Sequence, residues 1–430
     1  MNIAYISADF GVPVFGYKGA SIHVREMVHA FSKAGHQICI ISPAMEPDSE
    51  KEKGGASHTA PHPSHSLAGV EFLHVQPQER HLQLFKELER LDKFWGMKTR
   101  IRQELRNLLY NLTLYETTLE TLRARRIDLV YERYSLFSHS GIHLARELGA
   151  PHILEVNAPL AYEQEKMRGL DMKELAREME RRIFRDTDRV IVVSRQLQEF
   201  VASCGVPESR IHILPNAVDP QRFAVLEEHD ENPIRAKYQL NGKRVVGFVG
   251  SLKPWHGTET LLEAFRSMHA ETPNSHLLIV GDGPGREALE QFAQSDDLKG
   301  AVTFPGNVPY DDIPHYIAAM DITVAPYIPN ENFYYSPIKV FEYMMMGKPV
   351  VAGKIGQVEE VITDGDTGVL YEPGNLPQLT SALAKLANDS SLCLQIGQRG
   401  KTWVQKERTW DNNARQVLEI ARGLIEKRRG

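Results

Sequence analysis

The chain has 430 residues, more than a single hydrophobic core usually serves, so we expect two domains. Apolar residues make up 42% and charged residues 25%, as in soluble globular proteins, and the net charge of −6 disfavours a nucleic-acid binder. No stretch approaches the ~18 apolar residues of a membrane helix, and the N-terminus lacks the basic segment of a signal peptide. The cysteines, Cys39, Cys204 and Cys393, have no metal or disulfide spacing, which is typical of a reducing cytosol.

The start of the chain predicts a strand, a loop, a helix and a second strand in succession. Residues 2–7 and 36–42 are short and apolar, and residues 21–34 carry apolar side chains at helical spacing. This order is a βαβ unit, which implies a parallel sheet. Gly19 lies before the helix, either in a tight turn or where the backbone approaches a ligand closely.

The next segment, residues 45–68, is polar and contains several prolines and glycines. Histidines are frequent in and just after it: His58, His62, His65 and His74. A surface loop is favoured over a metal site, because no carboxylate or cysteine is spaced to complete one.

Residues 82–126 predict a long helical region rich in lysine and arginine. Phe94, Trp95 and Met97 lie on its apolar side. We expect a solvated helical hairpin that covers the sheet. The alternative is a basic amphipathic surface that docks on anionic lipid.

Polar side chains follow two of the next predicted strands. The strands are predicted at residues 127–131, 152–156 and 189–193, with helices at about 138–148 and 163–185. Glu132 and Arg133 come directly after the first strand, and Asn157 follows the second. Ligands of open α/β sheets bind outside the carboxyl ends of the strands, so these three side chains are site candidates.

The second half of the chain repeats the same plan. Its strands are predicted at residues 244–249, 276–280, 302–304, 322–325 and 349–352. We expect an N-terminal domain over residues 1–220, a charged, proline-containing hinge at 221–242 and a C-terminal domain over 243–404. A last helix, at about 405–430, is expected to pack back on the N-terminal domain.

Two stretches of the C-terminal half, 250–265 and 326–349, combine a strand end, a polar loop and a helix start. The amides of a helix start favour phosphate. Lys339 adds a cation there, and Glu342 follows three residues later on the same helix face. A cation for phosphate beside a carboxylate for sugar hydroxyls suits a nucleotide sugar.

These motifs, taken together, resemble the retaining glycosyltransferases of the GT-B fold, specifically glycosyltransferase family 4. The C-terminal half carries VGSLKPWHG, LLIVGDGP, VTFPGNVP, SPIKVFEYMMMGKPVVA and GVLYEPGN. The N-terminal half carries YKGASIHVREM, YERYSLFSHSG, LEVNAPL, VIVVS and ILPNAVD. The resemblance implies an α/β protein of two Rossmann-like, doubly wound domains facing each other across a cleft. The C-terminal domain would bind a nucleoside diphosphate sugar, UDP- or GDP-linked, and the N-terminal domain its acceptor.

Specific donor contacts also follow from the resemblance. Glu342 matches the second glutamate of the family's E-x7-E motif, which binds the donor ribose, whereas Tyr334 stands in place of the first. Ser251 and His256 stand near the positions where many members have an arginine and a lysine, so Lys339 would carry much of the diphosphate charge, helped by His256 and by amides. The other donor-binding positions are Gly19, Gly250, Gly281, Tyr335, Ser336, Pro337 and Ile338.

On the acceptor side the resemblance indicates His23, Glu132 and Arg133, although His23 is alternatively an ordinary helix-face residue. Asn157 stands where many relatives have a histidine beside the reacting sugar. It can donate a hydrogen bond there but cannot act as a base. Asn216 is interpreted as a brace of the hinge loop.

The implied function is sugar transfer with retention at the anomeric carbon, in polysaccharide or glycolipid biosynthesis on a cytosolic membrane face. The departing phosphate would take the acceptor proton, and the reaction would need neither a cofactor nor a metal. Asp364 and Asp366 have the letters of a metal motif but lie in a turn. A nicotinamide-dependent oxidoreductase is disfavoured because no GxGxxG follows the first strand. A non-catalytic subunit that binds a nucleotide sugar remains the alternative.

Overall fold

The computed structural model describes residues 1–46, 69–224, 232–330 and 332–429. The described chain divides into two compact units. One unit runs from the N-terminus to Pro215 and resumes at Asp411, and the other spans Asn216–Trp410. His58, His62 and His65, and residues 225–231 of the expected hinge, lie outside the described residues.

The N-terminal unit contains a parallel sheet of seven strands in the order β3-β2-β1-β4-β5-β6-β7. The strands are β1 Asn2–Ser7, β2 Gln37–Ser42, β3 Val70–His74, β4 Leu129–Arg133, β5 His152–Val156, β6 Arg189–Val192 and β7 Ile211–Ile213. The helices that precede β7 are α1 Gly19–Lys33, α2 Glu79–Trp95, α3 Ile101–Leu122, α4 Ser140–Glu147, α5 Leu160–Met167, α6 Lys173–Asp186 and α7 Arg195–Ser203. The strand order reverses between β1 and β4, which is the topological switch point of a Rossmann-like fold.

The C-terminal unit repeats this topology with six parallel strands in the order β10-β9-β8-β11-β12-β13. The strands are β8 Arg244–Val249, β9 Ser275–Val280, β10 Val302–Gly306, β11 Ile322–Ala325, β12 Val350–Gly353 and β13 Val369–Tyr371. The remaining helices are α8 Pro220–Ala224, α9 Pro233–Lys237, α10 Thr258–Glu271, α11 Arg286–Phe292, α12 Ile313–Ala318, α13 Ile338–Met345, α14 Gln357–Val361, α15 Leu376–Asn388, α16 Ser390–Glu407 and α17 Trp410–Arg429. Its switch point lies between β8 and β11.

Each sheet is covered by apolar side chains from both of its faces, so its strands are nearly continuous hydrophobic runs. In the C-terminal unit Phe248, Phe265 and Leu277 belong to one buried cluster, and Phe341 and Met344 belong to another. The sequence predicted these strands because buried parallel strands consist of unbroken β-branched and apolar residues.

Two predicted helices are each broken in the structure. The helix predicted at 163–185 is split into α5 and α6, and Gly169 between them has a φ of 85°, which ends a helix. The helical stretch predicted near the C-terminus is likewise split into α16 and α17. Among the described helices, none combines the length and the apolar composition needed to cross a bilayer.

Candidate functional site

The loops after β8 and β9 are packed against each other through two glycines with unusual backbone angles. Gly250 has a φ of 147° and Gly281 a φ of 134°, a backbone region that residues other than glycine rarely adopt. A Cβ atom at Gly281 would overlap the carbonyl oxygen of Gly250. The amide of Gly250 donates to Val280, and the amide of Gly281 donates to Gly306. Both glycines therefore shape this end of the sheet, and their amides are already used within it.

Helix α13 begins beside these loops with amides that have no partner. Pro337 precedes the helix and forms no side-chain cap. The amides of Ile338 and Lys339 donate to no residue of the described chain. Unused amides at a helix N-terminus attract anions.

Lys339 places its ammonium group at the end of β8. The Nζ atom lies 4.1 Å from the centre of the Phe248 ring and 5.7 Å from that of Tyr327. This nitrogen is buried and has no hydrogen-bond partner among the described residues, although the residue as a whole is partly exposed. Burial lowers the pKa of Lys339 to about 7, against the opposing effect of Glu342. A buried cation without a partner is unfavourable, and an anionic ligand would relieve it.

Glu342 lies one helical turn after Lys339, and its side chain is buried. Its negative charge acts to raise the pKa of Lys339. The structure therefore places Lys339 and Glu342 near each other, as the helical spacing predicts.

His256 lies in the loop between β8 and α10, surrounded by the aromatic rings of Phe248, Trp255 and Tyr327. Its Nδ1 is 2.6 Å from the carbonyl oxygen of Ser251. Burial, followed by the charge of the neighbouring Lys339, lowers the pKa of His256 to about 3. The ring is therefore neutral at physiological pH and does not supply a positive charge for a diphosphate.

The loop that carries Tyr334, Tyr335 and Ser336 is held by the residue expected to brace the hinge. Asn216 donates its backbone amide to Ser336 Oγ (2.8 Å) and its side-chain amide to the Ser336 carbonyl (2.6 Å). Tyr334 donates its hydroxyl to Tyr335 (3.2 Å), and its ring packs beside that of Tyr335. Where the family motif has a glutamate, this chain therefore has a buried ring.

In the N-terminal unit, Glu155 on β5 collects several polar side chains. Its Oε1 accepts from Asn157 Nδ2 at 2.7 Å and lies 4.0 Å from Arg133 Nη1, and its Oε2 accepts from the Tyr131 hydroxyl at 2.6 Å. His23 of α1 forms an ion pair with the same carboxylate. Burial alone would raise the pKa of Glu155, but His23, Arg133 and Tyr131 together lower it to about 2. The carboxylate is therefore ionised, and three predicted site residues converge on it.

Glu132 lies on the opposite face of the sheet from this cluster. Its carboxylate accepts from Ser138 Oγ at 2.7 Å and lies 3.0 Å from His152 Nε2. A Cβ atom at Gly141 would overlap this carboxylate. Strand β4 ends at Arg133 instead of Tyr131, so Glu132 and Arg133 are consecutive strand residues whose side chains alternate. The structure therefore joins Arg133, but not Glu132, to His23 and Asn157.

Gly19 is the first residue of α1 and is exposed, with no atom within 4 Å of the position of a Cβ. Arg25 supports the preceding loop by donating to the carbonyls of Val14 (2.7 Å) and Gly16 (2.5 Å). The backbone at Gly19 is thus accessible to a ligand.

Sequence reasoning missed Glu155, which lies within the predicted strand at residues 152–156. The available signal was a single carboxylate among the apolar residues Ile153, Leu154 and Val156. A buried carboxylate is rarely left without partners, and this one has four. Within the described ranges, the structure contains no cluster of three or more histidine, cysteine or acidic side chains that would bind a metal.

Two family models match the two halves of the chain. Residues 17–222 match the model described as Glycosyltransferase Family 4, and residues 230–403 match the one described as Glycosyl transferases group 1. Together the two matches span most of the chain, so the chain is assigned to the glycosyltransferases. Both matches confirm the glycosyltransferase that the sequence motifs predict.

Curated relatives of this glycosyltransferase are similar over somewhat more than half of the chain. The GDP-mannose-dependent alpha-(1-6)-phosphatidylinositol monomannoside mannosyltransferase of Mycolicibacterium smegmatis is 29% identical over 60% of this chain and 69% of its own length. The alpha-D-kanosaminyltransferase of Streptomyces kanamyceticus is 25% identical over 58% of this chain and 64% of its own length.

Solved structures resemble this glycosyltransferase over nearly its whole length. HepE of Anabaena, crystallised with UDP and glucose, is 18% identical with a TM-score of 0.70, covering 98% of this chain and 100% of that one. Sucrose-phosphate synthase from Thermosynechococcus elongatus is 20% identical with a TM-score of 0.67 and covers 99% of both chains. These likenesses confirm the predicted GT-B fold.

Proposed function

We propose that this protein is a retaining glycosyltransferase that moves a hexose from a nucleoside diphosphate sugar to a hydroxyl of a glycan or glycolipid. The C-terminal unit binds the donor and the N-terminal unit binds the acceptor. The buried, unpartnered ammonium of Lys339 carries this proposal. Its unfavourable burial would be relieved by an anion, and it lies at the switch point of a topology that often binds nucleotides.

The donor diphosphate would bind between Lys339 and the free amides of α13. Lys339 supplies the charge, and the amides of Ile338 and Lys339 supply hydrogen-bond donors. Glu342 would accept the ribose hydroxyls. These groups stabilise the negative charge that develops on the departing diphosphate, which is the main contribution a protein makes to such a transfer.

The acceptor would bind beside the Glu155 cluster, with Arg133, His23 and Asn157 fixed in orientation by that carboxylate. The charge of the ionised Glu155 is balanced by these partners, so this carboxylate is poorly suited to attack the anomeric carbon. We therefore propose transfer on one face of the sugar, in which the acceptor hydroxyl attacks as the diphosphate leaves and accepts its proton. Retention of configuration follows from attack on the face from which the diphosphate departs.

The transfer proceeds without a metal in this proposal, because Lys339 takes the place of a cation at the diphosphate. The one metal-like motif of the sequence is used structurally. Asp364 Oδ1 accepts from the amide of Leu370 at 2.8 Å, and Asp366 Oδ1 accepts from Arg399 at 2.8 Å.

We also propose that the enzyme contacts a membrane that carries its acceptor. At the end of α2 and just after it, the side chains of Phe94, Trp95 and Met97 are 84%, 51% and 56% exposed. Lys93 and Lys98 flank them and are exposed as well. Exposed rings beside lysines suit insertion into an anionic bilayer surface. The relatives that act on a phosphatidylinositol mannoside support a lipid-linked acceptor.

The first experiment is thermal unfolding with UDP, GDP, UDP-glucose and GDP-mannose, each with EDTA and with Mg²⁺. A ligand at 100 times its Kd stabilises the native state by about 2.7 kcal/mol. We expect one nucleotide family to raise the unfolding temperature in EDTA, and Lys339→Ala to abolish that rise. Lys348→Ala is the matched control, because Lys348 is also largely buried but donates to the carbonyl of Ala318.

No stabilisation by any of the four ligands would refute the donor site. Stabilisation only with Mg²⁺ would refute metal independence. A protein that binds a nucleotide sugar but neither transfers nor hydrolyses it would be a binding subunit and not an enzyme. The anomeric configuration of the product, read by NMR, tests retention.

A further inference from the structure

The ring of His256 is held in one orientation by its backbone contact. Its Nδ1 lies 2.6 Å from the carbonyl oxygen of Ser251, which can only accept a hydrogen bond. Nδ1 therefore carries the ring proton. In a neutral ring the other nitrogen, Nε2, then carries a lone pair and is a hydrogen-bond acceptor.

The surroundings keep the ring neutral. The positive groups that act on it are Lys339 from α13 and Lys253 from its own loop, and both disfavour a second proton. The aromatic neighbours of the ring, Phe248, Trp255 and Tyr327, carry no charge. No carboxylate acts on the ring to favour protonation among the described residues.

The Nε2 atom has no hydrogen-bond partner in the described part of the chain. As long as the ring stays neutral, a ligand that meets Nε2 must donate a hydrogen. The diphosphate of a nucleotide sugar has no proton to donate at neutral pH, whereas a sugar hydroxyl does. The expected role of His256 beside the phosphates is thus incompatible with the proton position that the structure assigns.

We propose that His256 Nε2 accepts a hydrogen bond from a hydroxyl of the donor sugar, so that His256 distinguishes donor sugars while Lys339 binds the diphosphate. This inference rests on the proposed donor site and adds the substrate group that His256 contacts. The Ser251 carbonyl acts as the positioning group, because it determines which nitrogen faces the ligand.

Two substitutions separate the effect of the hydrogen-bond acceptor on residue 256 from the effect of the ring volume. His256→Phe keeps the volume of the ring and removes both nitrogens, and His256→Gln retains an acceptor oxygen at a similar reach. Binding of the nucleoside diphosphate and of its sugar conjugate is measured by calorimetry for each variant, after thermal unfolding has shown that it is folded. One neutral hydrogen bond corresponds to roughly threefold to tenfold in affinity.

We expect His256→Phe to weaken binding of the sugar nucleotide by that factor and binding of the nucleoside diphosphate by less than twofold. His256→Gln should bind both ligands with nearly the affinity of the unsubstituted protein. Equal weakening of both ligands in His256→Phe would overturn the inference and leave the donor site intact. Failure of the unsubstituted protein to bind either ligand would refute the proposed function itself.

A second measurement uses the unsubstituted protein and does not depend on the folding of any variant. Deoxy analogues of the donor sugar, each lacking one hydroxyl, are compared with the full donor. We expect one analogue to bind threefold to tenfold more weakly. Equal affinity for every analogue would overturn the inference. Proton uptake by His256 on binding would also overturn it, and would be seen as a binding enthalpy that depends on the buffer and loses this dependence in His256→Phe.

Discussion

Gly250 leaves the space that the ammonium of Lys339 occupies: a Cβ atom at Gly250 would lie 2.5 Å from Lys339 Nζ. The glycine also adopts a φ of 147°, which disfavours any other residue. The turn after β8 and the cation of α13 are therefore interdependent, although 89 positions separate them in the sequence, from 250 to 339.

We predict that Gly250→Ala weakens nucleotide-sugar binding at least tenfold, because the new methyl group displaces the ammonium. The backbone strain should also cost about 1–3 kcal/mol of stability. Gly300→Ala is the control, since Gly300 has a φ of 80° but no atom within 4 Å of a new Cβ. It should lose stability without losing affinity, as titration calorimetry and thermal unfolding would show. Normal affinity in Gly250→Ala would contradict the assignment of Lys339.

The affinity for a nucleotide sugar should fall as the pH rises through 7. Burial lowers the pKa of Lys339 to about 7, so the free protein carries the ammonium below that pH and loses it above. A ligand that needs the ammonium must restore the proton, which costs up to about tenfold in affinity per pH unit. The diphosphate of a nucleotide sugar does not titrate in this range. Calorimetry between pH 6 and 9 should show the decline in the unsubstituted protein and in Lys348→Ala, and a flat profile would contradict it.

The ionised Glu155 should stabilise the N-terminal unit strongly. Removing one partner of a buried ion pair typically costs 3–5 kcal/mol, so we expect Glu155→Gln to destabilise by about 3 kcal/mol at pH 7. The folded-state pKa of about 2 lies below the usual value of 4.5. This stabilisation is therefore complete above about pH 4.5 and is lost as the pH falls towards 2.

Chemical denaturation at pH 7 and at pH 3 measures this difference. Glu71→Gln is the control, because Glu71 pairs with Arg125 on the surface of the same unit and should matter little. An effect of Glu155→Gln no larger than that of Glu71→Gln would show that the cluster is not an energetic centre of the unit.

The exposed rings in the last turn of α2 should be required for membrane binding. We expect the double substitution of Phe94 and Trp95 by serine to reduce binding to vesicles containing phosphatidylglycerol by at least tenfold, because each buried ring contributes about 1.5–3 kcal/mol. Co-sedimentation with such vesicles measures this. Leu394→Ser is the control, as Leu394 is 72% exposed in α16. Unchanged binding in the double variant would refute this contact.

Sequence patterns predicted most strands of both sheets because buried parallel strands are continuous apolar runs. The bounds of β1, β5, β8 and β11 agree with the prediction. No strand was assigned at β3, a half-buried edge strand of mixed polarity, or at β13, which has three residues. Such strands are stabilised by their neighbours in the sheet, and that pairing is not visible in a local pattern.

The candidate site was predicted less completely than the fold. The proximity of Lys339 and Glu342 was predicted correctly because helical spacing is local. The separation of Glu132 from Arg133 depends on where β4 ends. The strand extends two residues beyond the predicted end, so both residues belong to it and their side chains point to opposite faces of the sheet. The proton position of His256 depends on a carbonyl oxygen whose direction is set by the loop, and no residue pattern encodes it.

The chain leaves the N-terminal unit at Pro215 and enters it again at Asp411, and the two crossing segments are hydrogen-bonded to each other through Val218 and Trp410. Helix α17 then supplies Arg428, which donates to the Ala150 carbonyl at 2.7 Å and pairs with Asp188. On the ribosome, the first domain to emerge is thus still incomplete when the whole second domain has been synthesised. The C-terminal unit can fold before the N-terminal unit receives its final helix, so the N-terminal unit is the last to reach its native form.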